Sequence, residues 1–159
     1  MITSRLLIGL CVSLSLAGLT GCLKQETGPA PAPATLTIDS EGYFCGMEVA
    51  SHPGPKAQMY LIGKEEPIWF TAVRDMFGYL MLPGESKEIA AIYVSDTGRL
   101  TDWQSAADGP WINPRNAWYV VDSRMRGGMG ALETVPFGKL ADARRFASVH
   151  GGRVVAFDE

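Results

Sequence analysis

The sequence has few cysteines and histidines and no excess of positive charge. Three of its 159 residues are cysteine and two are histidine. It contains no zinc-type CxxC pair, P-loop, dinucleotide-type glycine pattern or Ser/His/Asp order, so no familiar catalytic apparatus is visible. Its 14 basic and 17 acidic residues give a formal net charge of −3. A dedicated nucleic-acid-binding protein usually carries a basic stripe, so this class is disfavoured.

The long apolar run of the sequence lies at its N-terminus. Arg5 precedes an apolar stretch over residues 6–19. This stretch is shorter than the roughly 20 apolar residues of a membrane-spanning helix, and it has the form of a signal peptide. It ends in the letters LTGC, with the cysteine at position 22. This ending matches the bacterial lipobox, in which the cysteine is lipidated and becomes the new N-terminus.

The lipobox predicts a membrane anchor followed by a tether. We expect residues 1–21 to be removed and Cys22 to be acylated, since several acyl chains provide the anchoring that one chain cannot. An ordinary signal peptide followed by an incidental cysteine is the alternative. Leu23, rather than an acidic residue, follows the anchor, which favours a periplasm-facing position on the outer membrane. Residues 22–35 end in alternating proline and alanine, typical of an extended tether, and the folded part should begin near Leu36.

One free thiol remains in the expected mature chain. Cys11 leaves with the signal peptide and Cys22 carries lipid, so Cys45 has no partner for an intramolecular disulfide. Unpaired thiols are unusual in an oxidising compartment, where they invite oxidation. Cys45 is therefore either a buried, inert hydrophobic residue or a residue with a chemical task.

The hydrophobic pattern predicts an α+β domain made of two similar ββαβ modules, at residues 36–97 and 117–159, joined by a connecting loop at 98–116. In the first module we expect strands at 43–49 and 58–62, a helix carrying Val73, Met76, Phe77 and Leu80, and a strand at 89–95. In the second we expect strands at 117–122 and 132–135, a helix carrying Leu140, Ala143 and Ala147, and a strand at 153–157.

The sequence Cys45-Gly46-Met47 is the main candidate for chemistry. Thiolate and thioether sulfurs are soft donors, which select Cu(I) over harder ions. On a strand, residues i and i+2 point to the same face, so both sulfurs would reach one ion. Two sulfur ligands leave a low-coordinate ion that can pass to a recipient, which suits a carrier. The alternative is a core strand with an inert cysteine.

Three other residues are further candidates, whereas the second histidine, His150, is not. Met129 lies in a glycine-rich loop, where a thioether has little packing reason to be. Asp122 ends the strand before this loop and is either an additional ligand or a turn residue. His52 precedes a proline and is either a third ligand or a solvated loop histidine. His150 lies at a helix end, where the helix dipole favours a partly positive imidazole, and we interpret it as structural.

The chain resembles the NosL family, accessory lipoproteins of nitrous oxide reductase maturation. The resemblance is carried by the lipobox, the Cys45-Gly46-Met47 sequence, and the stretches at 117–137 and 141–157. It implies a Cu(I) chaperone that supplies copper for the copper–sulfide centre of the reductase, through an ABC-type membrane assembly complex. It also implies the two ββαβ modules, a topology shared with organomercurial lyases. The cysteine and methionine of the family motif map onto Cys45 and Met47, with Met129 and Asp122 as further candidate ligands.

Two rival hypotheses remain open from the sequence. The shared topology suggests a thiol enzyme of the organomercurial-lyase type, although that chemistry resembles a paired-cysteine mechanism and only one thiol remains here. The other rival is a lipoprotein that binds a partner without metal, its sulfur atoms serving only for packing.

Overall fold

The computed structural model describes residues 29–104 and 109–159 as a mixed helix and sheet domain. The expected signal peptide and the anchor at Cys22 lie outside these residues. Within the described ranges, neither helix combines the length and apolarity needed to cross a bilayer. The elements in chain order are β1 (Ala57–Leu61), β2 (Ile68–Phe70), α1 (Val73–Met81), β3 (Ile89–Ser95), β4 (Trp111–Ile112), β5 (Trp118–Val121), β6 (Arg126–Gly127), β7 (Ala131–Leu132), β8 (Val135–Phe137), α2 (Leu140–His150) and β9 (Arg153–Val155).

The first sheet has the antiparallel order β2-β1-β3-β4 and is covered on one face by α1. Alternation along β1 directs Ala57 and Met59 into the core. The expected helical spacing brings Val73 and Met76 of α1 into the same core. The helix ends before Pro83, because a proline disfavours helical geometry at the residue before it.

The second sheet has the antiparallel order β8-β5-β9. Helix α2 packs on it, where Ala143 meets Val120, Val135 and Phe137 in a second buried cluster. The helix ends at Gly151, whose φ of 76° is a conformation that favours glycine. A separate two-stranded hairpin, β6–β7, lies in the chain between β5 and β8 and does not pair with this sheet.

Three predicted elements differ from the structure. The strand expected at 43–49 is a turn, because Gly46 has a φ of 62° and the carbonyl of Gly42 accepts hydrogen bonds from the N–H groups of Cys45 and Gly46. The strand expected at 132–135 is divided, since β7 ends at Leu132 and β8 begins at Val135. The connecting loop expected at 98–116 contributes a strand, β4, which pairs with β3.

Part of the expected tether packs on the first sheet. The side-chain amide of Gln58 forms a pair of hydrogen bonds with the backbone of Ala34, accepting from its N–H at 2.7 Å and donating to its carbonyl at 3.0 Å. The Tyr93 hydroxyl donates to the carbonyl of Pro31 at 2.6 Å. Gln58 is fully buried. We call residues 31–34 the strap, since they cover the face of the sheet opposite α1.

Candidate functional site: a sulfur-lined cleft

A surface cleft of about 290 Å³ brings together residues from both halves of the chain. Cys45 reaches it from the turn before β1, and Met129 reaches it from the β6–β7 hairpin. The cleft is completed by the first turn of α1. Its lining residues are Phe44, Cys45, Ala72, Arg74, Asp75, Gly127, Met129 and Ala131.

The turn that carries Cys45 is closed by backbone hydrogen bonds. The Gly42 carbonyl accepts from the N–H groups of Cys45 and Gly46 at 3.2 and 2.7 Å, and the Gly42 N–H donates to the carbonyl of Met47 at 2.9 Å. Cys45 is a free, partly exposed thiol. Its Sγ lies 3.9 Å from the carbonyl oxygen of Gly42 and 4.0 Å from the hydroxyl oxygen of Thr71. The sulfur is therefore held at the cleft wall and is not sealed in the core.

Met129 is presented at the tip of the β6–β7 hairpin. Its neighbours Gly128 and Gly130 have φ angles of 45° and 82°, which favour glycine, and they allow the tight turn. Met129 is 60% exposed. A large apolar side chain left open to solvent loses the stabilisation of burial, so packing does not explain its position. Its thioether is available to a ligand in the cleft.

Met47 lies on the turn that carries Cys45 but not among the residues that line the cleft. The alternation argument for this pair is wrong, because residues 45–47 form no strand. Met47 is 39% exposed, so its side chain is open to solvent. Its role as a ligand stays a prediction.

The other candidate residues have different neighbours. Asp122, whose φ is 60°, is exposed, and its carboxylate lies 3.3 Å from Nε of Arg153. His52 Nδ1 lies 2.8 Å from the carbonyl oxygen of Glu48. His150 packs on Phe146, with ring centroids 4.4 Å apart. None of these three residues is among the described residues that line the cleft with Cys45.

A buried lysine, which the sequence did not reveal as special, fixes the segment beside the hairpin. Lys56 is fully buried, and its ammonium donates to the carbonyls of His52, Pro53 and Gly54 at 2.7, 3.1 and 2.6 Å. The Pro53 carbonyl also accepts from the N–H of Gly128 at 3.0 Å. Burial lowers the pKa of Lys56 to about 8. Lys56 therefore helps to fix the position of the hairpin that presents Met129.

Glu133 packs against Gly127, one of the residues that line the cleft. Its Oε1 accepts from the N–H groups of Arg74 and Thr134, at 3.1 and 2.9 Å. Its Oε2 is buried and has no hydrogen-bond partner among the described residues. Burial raises the pKa of Glu133 to about 8. A methyl group on Gly127 would overlap Oε2, so the hairpin backbone packs directly on this carboxyl.

The cleft offers sulfur in place of a cluster of harder donors. In the described ranges, no three His, Cys, Asp or Glu side chains come together as a group able to hold a metal ion. The thiol of Cys45 and the thioether of Met129 are both soft donors. Arg74 and Asp75 add one charge of each sign to the lining. The fold and the cleft together define an α+β domain with a sulfur-lined surface site, suited to a soft metal ion.

Comparison with known proteins agrees with this class. The family model described as NosL matches residues 33–159, and the chain belongs to the NosL family. It is 40% identical over 146 residues to the copper-binding lipoprotein NosL of Achromobacter cycloclastes, covering 91% of this chain and 75% of that protein. It is 36% identical over 143 residues to the copper-binding lipoprotein NosL of Stutzerimonas stutzeri, covering 89% and 73%.

Two solved structures are similar to this domain. The crystal structure of the copper chaperone NosL from Shewanella denitrificans aligns with a TM-score of 0.74 at 34% identity, over 82% of this chain and 96% of that one. The solution structure of the apo-NosL protein from Achromobacter cycloclastes aligns with a TM-score of 0.50 at 42% identity, over 65% and 83%.

Proposed function

We propose that this protein is a Cu(I) carrier, in which the Cys45 thiolate and the Met129 thioether bind the ion in the cleft. The observation that carries the proposal is that these two residues, from distant parts of the chain, line one cleft. It is supported by relatives named as copper-binding lipoproteins and as a copper chaperone. These names describe copper binding and a copper chaperone, and none describes a catalyst, which disfavours the thiol-enzyme hypothesis.

The coordination we propose is sparse. Met47 is the next candidate, because its partly exposed side chain lies on the same turn as Cys45. Asp122 comes last, since it would have to leave Arg153 to reach an ion in the cleft. Two or three sulfur donors on an open surface leave the ion accessible to an incoming ligand from a recipient. That accessibility is what a carrier needs.

We further propose the cellular setting that the family resemblance implies. The acylated Cys22 would hold the domain to the outer membrane, facing the periplasm. The copper would serve the copper–sulfide centre of nitrous oxide reductase, through an ABC-type membrane assembly complex. Similarity to proteins named as lipoproteins supports the anchor.

We also propose that the two halves are related ββαβ modules. In support, each half runs strand, strand, helix, strand when the β6–β7 hairpin and β4 are set aside. The three strands concerned have the equivalent orders β2-β1-β3 and β8-β5-β9. Under this proposal the cleft lies between the turn that precedes β1 in the first module and the hairpin inserted in the second.

The test is an anaerobic Cu(I) titration of the purified protein in the presence of a competing Cu(I) chelator. We expect one Cu(I) per chain, and we expect Cys45→Ser to lose this tight binding. Binding replaces the thiol proton, so the apparent affinity should rise with pH until the thiol is ionised. Tight, stoichiometric Cu(I) binding by Cys45→Ser would overturn the assignment. If the parent protein does not bind Cu(I), a metal-free role in binding a partner is favoured.

A further inference from the structure

The Cys45 sulfur has a buried hydroxyl beside it. Its Sγ lies 4.0 Å from Oγ1 of Thr71, a residue in the short connection between β2 and α1. Thr71 is only 2% exposed, so its hydroxyl is shielded from bulk water. The hydroxyl can therefore keep its contact with the sulfur without competition from bulk water.

A carboxyl group also lines this cleft. Asp75, in the first turn of α1, is half-buried there. Burial raises the pKa of Asp75, while the charge of Arg74 opposes that rise. The cleft therefore carries a thiol, with a buried hydroxyl beside it, and a carboxyl group.

The backbone at Gly42 makes this approach possible. A Cβ at position 42 would lie 2.7 Å from the Cys45 Sγ and 2.9 Å from the Thr71 Cγ2, closer than real Cβ atoms come to their neighbours. A side chain there would force the sulfur, Thr71 or both to shift. The contact as it stands therefore depends on glycine at this position.

We propose that Thr71 is a positioning residue for Cu(I) binding, which fixes the Cys45 sulfur at the cleft. This inference rests on the proposed function. When Cu(I) binds, the S–H bond breaks, an S–Cu bond forms, and the proton passes to water without any change of oxidation state. The thiolate can then accept a hydrogen bond from the Thr71 hydroxyl, which stabilises the charged sulfur in its bound orientation.

The effect should be measurable as a change in Cu(I) affinity. Loss of an outer-shell partner of a metal ligand commonly weakens binding by about 10- to 100-fold. We therefore expect Thr71→Val, which keeps the shape and removes the hydroxyl, to weaken Cu(I) binding within that range in chelator competition. Thr71→Ser keeps the hydroxyl and should recover most of the affinity. The thiolate-to-Cu(I) absorption band in the near ultraviolet should shift in Thr71→Val and return in Thr71→Ser.

A second pair of variants guards against loss of the fold. Gly42→Ala should weaken Cu(I) binding in the same direction, whereas Gly78→Ala, where an added Cβ meets open space in α1, should not. Circular dichroism of each variant reports whether the fold is retained.

Parallel measurement of Cys45→Ser separates this inference from the proposed function. If Cys45→Ser keeps tight binding, the proposed function fails. If Cys45→Ser loses binding while Thr71→Val binds Cu(I) like the parent protein, with an unshifted absorption band, the positioning role of Thr71 is overturned and the carrier proposal stands. If Thr71→Val does not fold, parent-like binding by Gly42→Ala overturns the positioning role in the same way.

Discussion

Cys45 and Met129 line the same cleft although they lie in different halves of the chain. The backbone that presents each of them is fixed by hydrogen bonds, through the carbonyl of Gly42 on one side and through the contact of Gly128 with Pro53 on the other. A site assembled in this way depends on how the hairpin packs against the turn. Substitutions that move the hairpin should therefore affect metal binding as well as stability.

Met129 should contribute to Cu(I) affinity through its sulfur. Met129→Leu keeps the approximate volume of the side chain and removes the thioether, so we expect about tenfold weaker Cu(I) binding in chelator competition. Met81 is also exposed but does not line the cleft, and Met81→Leu is the matched control. If the two variants bind Cu(I) with equal affinity, Met129 is not a ligand.

Gly127 should tolerate no side chain. A methyl group there would overlap Oε2 of the Glu133 carboxyl group, whose Oε1 is held by two backbone N–H groups. We expect Gly127→Ala to lower the free energy of unfolding by about 1–3 kcal/mol in urea denaturation. Gly78→Ala, in α1 with open space around it, should instead be neutral or raise that free energy by up to about 1 kcal/mol. A stability loss at position 78 and none at 127 would contradict this account of the hairpin.

Glu133 should make the stability depend on pH. Burial raises its pKa from 4.5 to about 8, so the native state holds a proton that the unfolded state releases between these values. The resulting stabilisation is complete below about pH 4.5 and is lost as the pH rises towards 8. We therefore expect the urea concentration at the midpoint of unfolding to decrease as the pH is raised from about 5.5 to 8. The decrease should be smaller in Glu133→Gln. Glu65→Gln, at an exposed position, is the control. If the stability of Glu133→Gln depends on pH as that of the parent protein does, Glu133 is not the source of this dependence.

Lys56 should make the stability of the protein change with pH in the opposite direction, at higher pH. Its pKa is lowered from 10.5 to about 8, so the native state loses this proton before the unfolded state does. Stability should accordingly rise between about pH 8 and 10.5 as the cost of burying the charge is relieved. Lys56→Met removes this rise, although it takes the ammonium donor away from three carbonyls and should itself cost about 3 kcal/mol. Of these carbonyls, that of Pro53 still accepts from the N–H of Gly128. Urea titrations of both proteins at pH 8 and pH 10 measure the difference.

The strap should stabilise the domain measurably. Tyr93→Phe removes its hydrogen bond to Pro31 and should lower the free energy of unfolding by about 1 kcal/mol. Gln58→Ala removes both bonds to Ala34 and should cost about 2 kcal/mol or more. Gln104→Ala, at an exposed position, should change little. Parent-like unfolding curves for both strap variants would show that residues 31–34 are not held to the sheet.

Local periodicity was enough to find the helices and the long strand β3, because each apolar pattern there agrees with burial in the folded domain. The turn at 43–49 was missed, since its aromatic and β-branched residues also suit a strand, and only the conformation of Gly46 distinguishes the two. The roles of Lys56 and Glu133 could not be predicted, because nothing in a sequence marks one charged residue as fully buried. Placing Met129 beside Cys45 required the packing of two distant segments, which no local pattern encodes.

The most direct test of the sulfur-lined site is X-ray absorption at the copper edge of the protein loaded with Cu(I) under anaerobic conditions. Our account predicts a first shell dominated by two or three sulfur scatterers, with one sulfur lost in Met129→Leu and tight loading abolished in Cys45→Ser. A first shell made of nitrogen or oxygen atoms, unchanged by either substitution, would contradict it.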